Sequence, residues 1–270
     1  MSSVRIGTRT LPKVSSAVQD FLSETLLESL EHGRVTLRAL AARLSVTPPA
    51  VSRMAQRLVR KGLMRREGAC GLVLTEMGRR IATHALRKRR IVEVFLVEKL
   101  GYSWDEVYPL SAASNYLDDD VVERMFVQVG RPSRCPHGDP IPTRDGEMEI
   151  KPAMRLSDAP ENTRATIQRV ASHDGDLLRY LASIHLRPNT RLEVVSRAPF
   201  GGPLRVRVAN GRFHDEHVIG TELASKIWLE DVAPLPQPNG KADLAAEKAS
   251  LPAGHSASPS RISNNTPQAR

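Results

Sequence analysis

Aromatic side chains make up only 4% of this sequence, and only two of its 270 residues are cysteine. With so few rings, any core must be built from Leu, Val, Ile and Ala. Two cysteines, Cys70 and Cys135, give no disulfide framework and no sign of an oxidising compartment. No apolar run approaches the roughly 20 residues that cross a bilayer. The N-terminus also lacks the basic stretch followed by an apolar run that marks a signal peptide. A membrane role is excluded on these grounds, and a cytoplasmic location is expected. Acidic residues are nearly missing from one long stretch. Between Arg34 and Leu100, 16 Lys and Arg face 4 Glu and no Asp, a net +12 in a chain whose total is +9. The rest of the chain is therefore slightly acidic, and the basicity is concentrated where a polyanion could be met.

What is present there is a pattern. Val18, Phe21, Leu22, Leu26, Leu27 and Leu30 recur at helical spacing from Ser15, and Gly33 stops that helix. Thr36 caps a second helix with Leu37, Leu40, Ala41 and Leu44 on its apolar stripe. Thr47-Pro48 starts a third, with Val51, Met54, Leu58 and Val59 inward and Ser52, Arg53, Gln56, Arg57 and Arg60 outward, and Gly62 ends it. Leu63 to Leu74 alternates as a hairpin around Glu67-Gly68-Ala69 and Gly71. Helix, turn, basic helix and hairpin form a winged helix-turn-helix, which sets its second helix in the major groove. A helical hairpin within an enzyme or assembly would not need so many outward cations.

Thr75 caps a long helix whose apolar positions (Ile81, Ala85, Ile91, Val94, Phe95, Val97, Leu100) change face, so its two ends should meet different neighbours. Short turns fill Ser103 to Leu117, and Asp118 opens a helix with acids at its positive end. A loop around Cys135-Pro136-His137-Gly138-Asp139-Pro140 leads to a polar linker. Asp174 to Ile184 reads as a short helix, Arg191–Ser196, Leu204–Ala209 and Arg212–Ile219 as strands, and Ala224–Ile227 as a last helical turn. The fold class expected is α+β, mainly α. The divisions are a flexible N-terminus (1–14), a winged helix-turn-helix (15–74), a helical dimerisation domain (75–143), a linker (144–165), a small SH3-like β-barrel (166–232) and a disordered tail (233–270).

Three blocks carry a family resemblance: SVTPPAVSRMAQRLVRKGLM (45–64), LTEMGRRIATHALRKRRIVEVFLVEKLG (74–101) and CPHGDPIP (135–142). With LRPNTRLEVVSRAPFGGPLRVRV (186–208), which is similar to the barrel of ferrous-iron-transport A proteins, they resemble the iron-dependent (diphtheria-toxin) repressors and manganese transport regulators. The resemblance implies a homodimeric repressor of metal-homeostasis genes that binds palindromic double-stranded DNA, with Mn²⁺ or Fe²⁺ as co-repressor. It places Thr47, Pro49, Ser52 and Arg53 against DNA, with Arg53 the residue best suited to a guanine edge. Gln56, Arg57, Arg60 and Lys61 complete the expected contact set, and the cations among them, with Arg65 and Arg66, suit phosphate. Where the family places its metal ligands, this chain carries Arg89, Tyr108, Ala112, Asn115 and Tyr116. The resemblance therefore predicts a lost or altered metal site, with Asp20, Glu93, His173 and Asp176 as the remaining candidates. Arg89, one turn before Glu93, could stand in for the metal's charge by pairing with it.

Other features allow competing readings. Arg87-Lys88-Arg89-Arg90 reads as a solvated helix face, with phosphate binding as the alternative. Cys135 and His137 lack a second ligand pair for zinc and an orienting partner for catalysis, so a structural loop is expected and an enzyme is not. Cys70 reads as a small turn residue, with a redox sensor as the alternative. The run Phe213-His214-Asp215-Glu216-His217 reads as a hairpin with some ligand character. The functional alternative to a sequence-specific regulator is a nucleoid-type binder with little sequence choice.

Overall fold

The computed structural model describes residues 11–68, 71–210 and 213–235, with the side chains of 209, 210, 213 and 214 excepted. The expectations for residues 1–10, for Cys70, for the His214 side chain and for the tail beyond Leu235 lie outside the described residues.

The head begins with α1 (Ser16–His32), which ends at Gly33 with φ 70°. In α2 (Leu37–Arg43) the Thr36 hydroxyl accepts the Ala39 amide at 3.2 Å, as a helix N-terminus with unpaired donors requires. Ser45, at φ 53°, reverses the chain into α3 (Pro48–Arg60). Thr47 precedes α3 as expected, although its side chain makes no capping bond. The wing is β1 (Met64–Glu67) against β2 (Gly71–Leu74), with Val35 bridging Leu72. Leu22, Leu40, Leu58, Met64 and Leu86 are fully buried at the centre of this head. Inward positions of α3 are Val51, Ala55 and Leu58, while Met54 and Val59 are half-buried at the margin.

Helix α4 (Glu76–Leu100) belongs to two cores, as its shifting apolar face implied. Ile81, Ala82 and Leu86 complete the head, whereas Ile91 and Val94 join Val122, Val129, Cys135 and Ile141 in a second cluster. The second cluster is covered by α5 (Val107–Ser111), a 3-10 turn at Ala112–Tyr116 and α6 (Asp119–Gln128).

The C-terminal unit is a six-stranded antiparallel sheet in the order β3-β8-β4-β5-β6-β7. Its strands are β3 (Met154–Arg155), β4 (Thr163–Val170), β5 (Arg191–Arg197), β6 (Leu204–Asn210), β7 (Phe213–Ile219) and β8 (Ile227–Pro234), with α7 (Gly175–Ser183) and the short α8 (Thr221–Ala224) between them. Two features differ from the sequence reading. β3 and the start of β4 lie within the stretch read as linker. Ile227 opens a strand rather than closing a helical turn, the turn itself being α8. β4 is masked in the sequence because its buried positions include Thr163 and Gln168, the latter hydrogen-bonded to Glu230 at 3.1 Å.

Trp104, from the loop after α4, is buried in the core of this sheet unit. The unit also docks on the 135–138 loop. The Val170 amide donates to the His137 carbonyl at 2.9 Å, and a Cβ on Gly138 (φ 89°) would lie 2.1 Å from the Gln168 carbonyl oxygen. Gly138→Ala therefore combines strain with a backbone clash and should destabilise the chain by at least about 2 kcal/mol. Urea unfolding followed by tryptophan fluorescence measures it; an unchanged midpoint would show that the loop can shift freely.

Candidate DNA-reading face and metal centre

Helix α3 carries three arginines and no acid. Thr47, Pro49, Arg53, Gln56, Arg57, Arg60 and Lys61 are exposed and Ser52 is half-buried, so the contact set expected from the sequence forms one open surface. Arg57 rests a guanidinium nitrogen 2.9 Å from the Met54 sulfur. In the wing, Arg65 lies 3.5 Å from Glu67 with both side chains exposed, and Arg66 is exposed. Planar, unburied guanidiniums on a helix that protrudes from its core suit base edges and phosphates.

The four consecutive cations of α4 are neither solvated nor available to phosphate. Arg87, Lys88, Arg89 and Arg90 are all buried. Arg87 donates to Glu123 at 2.7 Å and to the Pro142 carbonyl at 2.7 Å. Lys88 holds Asp119 at 3.0 Å and the Leu117 carbonyl at 2.5 Å. Arg90 reaches the Pro140 carbonyl at 2.5 Å and lies 3.7 Å from Asp139. Asp139 is half-buried, and Arg90 and Arg169 outweigh its desolvation and hold its carboxyl below the usual carboxylate range.

Arg89 turns towards α1. It lies 2.6 Å from Asp20, 3.4 Å from Glu24 and 3.4 Å from the Tyr108 hydroxyl, while Asn115 donates to Asp20 at 3.1 Å. Burial alone would lower the Arg89 pKa, but Tyr108, Glu24, Asp20 and Glu93 together raise it. Burial, and then Glu24, likewise keep Tyr108 a neutral phenol. A cation does occupy this position, as expected, but its partners are Asp20 and Glu24 rather than Glu93.

Glu93 serves another group. Its carboxylate accepts the Ser111 hydroxyl at 3.2 Å and lies 3.6 Å from His137 Nδ1, which is 4.0 Å from Cys135 Sγ. Ligand atoms of Glu93, Cys135 and His137 all fall within 4.8 Å of one another, and all three residues are buried. His137 Nε2 is 2.8 Å from the Trp104 carbonyl, so it donates there and aims Nδ1 into the cluster. Burial opposes an imidazolium here, but Cys135 and Glu93 overcome it and push His137 up to about 11; burial pushes the Cys135 thiol up as well. A thiol, an imidazole and a carboxylate converging in a buried site make a donor set for a divalent ion of borderline softness.

From sequence alone the 135–139 loop has no third ligand and is expected to be structural, because Glu93 lies on a distant helix. The usable signal was Glu93, an acid left on an otherwise basic helix face. Of the other candidates, His173 stacks on Tyr108 with centroids 3.6 Å apart and stands edge-on to His137 at 5.9 Å. Asp176 is exposed and paired with Arg179. Ala112 and Tyr116 bring no donor to either group, and Tyr116 is exposed, its hydroxyl 3.0 Å from Ser16.

Comparison with known proteins agrees with this architecture. Residues 25–68 match the MarR family, 75–143 the iron dependent repressor metal binding and dimerisation domain, and 154–231 the FeoA domain. The iron-dependent repressor IdeR of Mycobacterium tuberculosis is 30% identical over 223 residues, 77% of this chain and 94% of that protein. The diphtheria toxin repressor of Corynebacterium diphtheriae is 31% identical over 185 residues, 64% of this chain and 82% of the relative. A manganese-dependent transcriptional repressor in complex with manganese superposes with a TM-score of 0.74 at 32% identity, covering 78% of this chain and 98% of its own. These relatives are repressors, not enzymes, and among the described residues no helix is long and apolar enough to cross a membrane. The chain belongs to the iron-dependent (diphtheria toxin) repressor family of DNA-binding transcriptional regulators.

Proposed function

We propose that this protein acts in the cytoplasm as a homodimeric repressor that lays two α3 helices in successive major grooves of a palindromic operator. Its divalent ion is held by Glu93, Cys135 and His137. The observation that carries the DNA reading is the acid-free, exposed face of α3. Thr47, Pro49 and Ser52 fit the groove, Arg53 reads a base edge, and Gln56, Arg57, Arg60 and Lys61 extend the contact, the cations among them through phosphate. The observation that supports the ion site is the mutual approach of the three ligand atoms with His137 already oriented. When bound, the ion supplies a fixed positive charge joining α4 to the 135–138 loop. Thiolate and imidazole donors favour Fe²⁺ over the harder Mn²⁺. The Asp20 position, filled by Arg89, needs no ion.

Mutagenesis, DNA selection and metal titration test this reading. On duplexes enriched from a random pool, Arg53→Ala should flatten the preference among sequence variants by about 1–3 kcal/mol at one base pair. Arg57→Ala should instead weaken all sequences alike and reduce the salt slope by about one unit. If wild-type protein separates enriched from random DNA only slightly, the nucleoid-type reading takes precedence. Anaerobic titration should find one Fe²⁺ per chain at the buried cluster, with Mn²⁺ weaker. Cys135→Ala or His137→Ala should lower that affinity at least about tenfold, and retention by both variants would move the ion elsewhere.

A further inference from the structure

Glu24 is buried on α1 between two guanidiniums. Its Oε1 lies 3.4 Å from Arg89 Nη1, and its Oε2 lies 3.1 Å from Arg43 Nε. Arg43 is the last residue of α2, and it also reaches Glu28 at 3.5 Å and Glu31 at 2.9 Å on α1. Two residues later, Ser45 at φ 53° turns the chain towards α3. On the other side, Arg89 sits on the part of α4 whose neighbours Ile91 and Val94 belong to the second core. The Tyr108 hydroxyl donates to Glu24 at 3.3 Å, and its ring stacks on His173. One carboxylate thus joins the helix that leads to the reading helix with the helix that runs into the dimerisation domain.

A buried ion pair adds little net stability over a well-packed apolar contact of the same volume, because desolvation cancels much of the attraction. Its distinguishing property is direction. Two planar guanidiniums on the two oxygens of one carboxylate hold three helices in one relative geometry. In a two-fold dimer, the distance and phase between the two α3 helices depend on how each is set against α4. Lengthening the centre of a DNA site by one base pair rotates one half-site by about 35° relative to the other. A head free to pivot tolerates that change, and a fixed one does not.

We propose that Glu24, clamped between Arg43 and Arg89, is a positioning residue for operator recognition: it fixes the setting of α2 and α3 against α4 and so the half-site spacing that the dimer accepts. The inference rests on the dimeric DNA binding proposed above and not on where the ion sits, so every titration is run at one fixed, saturating Fe²⁺ concentration. Wild type, Glu24→Gln and Arg89→Ala are titrated onto three duplexes: the palindrome enriched by wild type from a random pool, the same palindrome with its centre one base pair longer, and a single half-site. Both variants should lose about tenfold on the enriched palindrome while binding the half-site within about twofold of wild type, and the penalty for the longer centre should shrink. Millimolar guanidinium ion should restore the palindrome affinity and the spacing preference of Arg89→Ala but leave Glu24→Gln unchanged. Circular dichroism melting reports whether each variant folds, and Arg43→Lys, at a less buried position, carries the same readouts if either does not. An intact spacing preference, an equal loss on the half-site, or no rescue by guanidinium would each overturn the proposal.

Discussion

Four consecutive cations buried on one helix determine how the rest of this chain is arranged. At about 100° per residue, Arg87, Lys88, Arg89 and Arg90 point around the whole circumference of α4. A helix with charge on every side can be buried only if every side supplies acceptors. Here α6 supplies Glu123 and Asp119, α1 supplies Asp20 and Glu24, and the proline-rich loop supplies the carbonyls of Pro140 and Pro142. The loop is drawn onto α4 by those carbonyls, which brings Cys135 and His137 beside Glu93 three residues further along. The candidate ion site is thus a by-product of how the cations are satisfied.

That arrangement shows what could be read from the residues and what could not. Helix ends were legible because they obey local rules: Thr36, Thr75 and Asp118 accept backbone amides at the starts, and Gly33 closes α1 in the left-handed region. The exposed basic face of α3 was legible because exposure on that helix follows a 3.6-residue period. The basic run was misread because four charges in a row look solvated until their partners, dozens of residues away, are in place. The Glu93–Cys135–His137 cluster was missed for the same reason, and β4 because Thr163 and Gln168 interrupt its alternation with polar groups that are buried and bonded. Local chemistry wrote the elements; long-range polar pairing placed them.

The candidate ion site also lies where two modules share backbone. His137 gives its carbonyl to Val170 of the sheet unit, its Nε2 to the Trp104 carbonyl, and its Nδ1 to the cluster. Trp104 in turn is part of the sheet unit's core. One residue therefore touches the ligand set, the sheet and the loop that anchors the sheet. His137 is therefore the point at which the candidate ion site and the C-terminal unit meet through direct hydrogen bonds.

The place of β8 in the sheet has a consequence for how the protein is made. β8, the last strand among the described residues, lies in the interior of the sheet, hydrogen-bonded to β3 on one side and β4 on the other. Before Ile227–Pro234 leaves the ribosome, β3 has no partner and β4 keeps an open edge, so the unit cannot close while the chain is still growing through it. The reading head has no such debt to the C-terminus. During synthesis the head core, whose buried residues run from Val18 to Leu86, can therefore close while the sheet unit still waits for its interior strand β8.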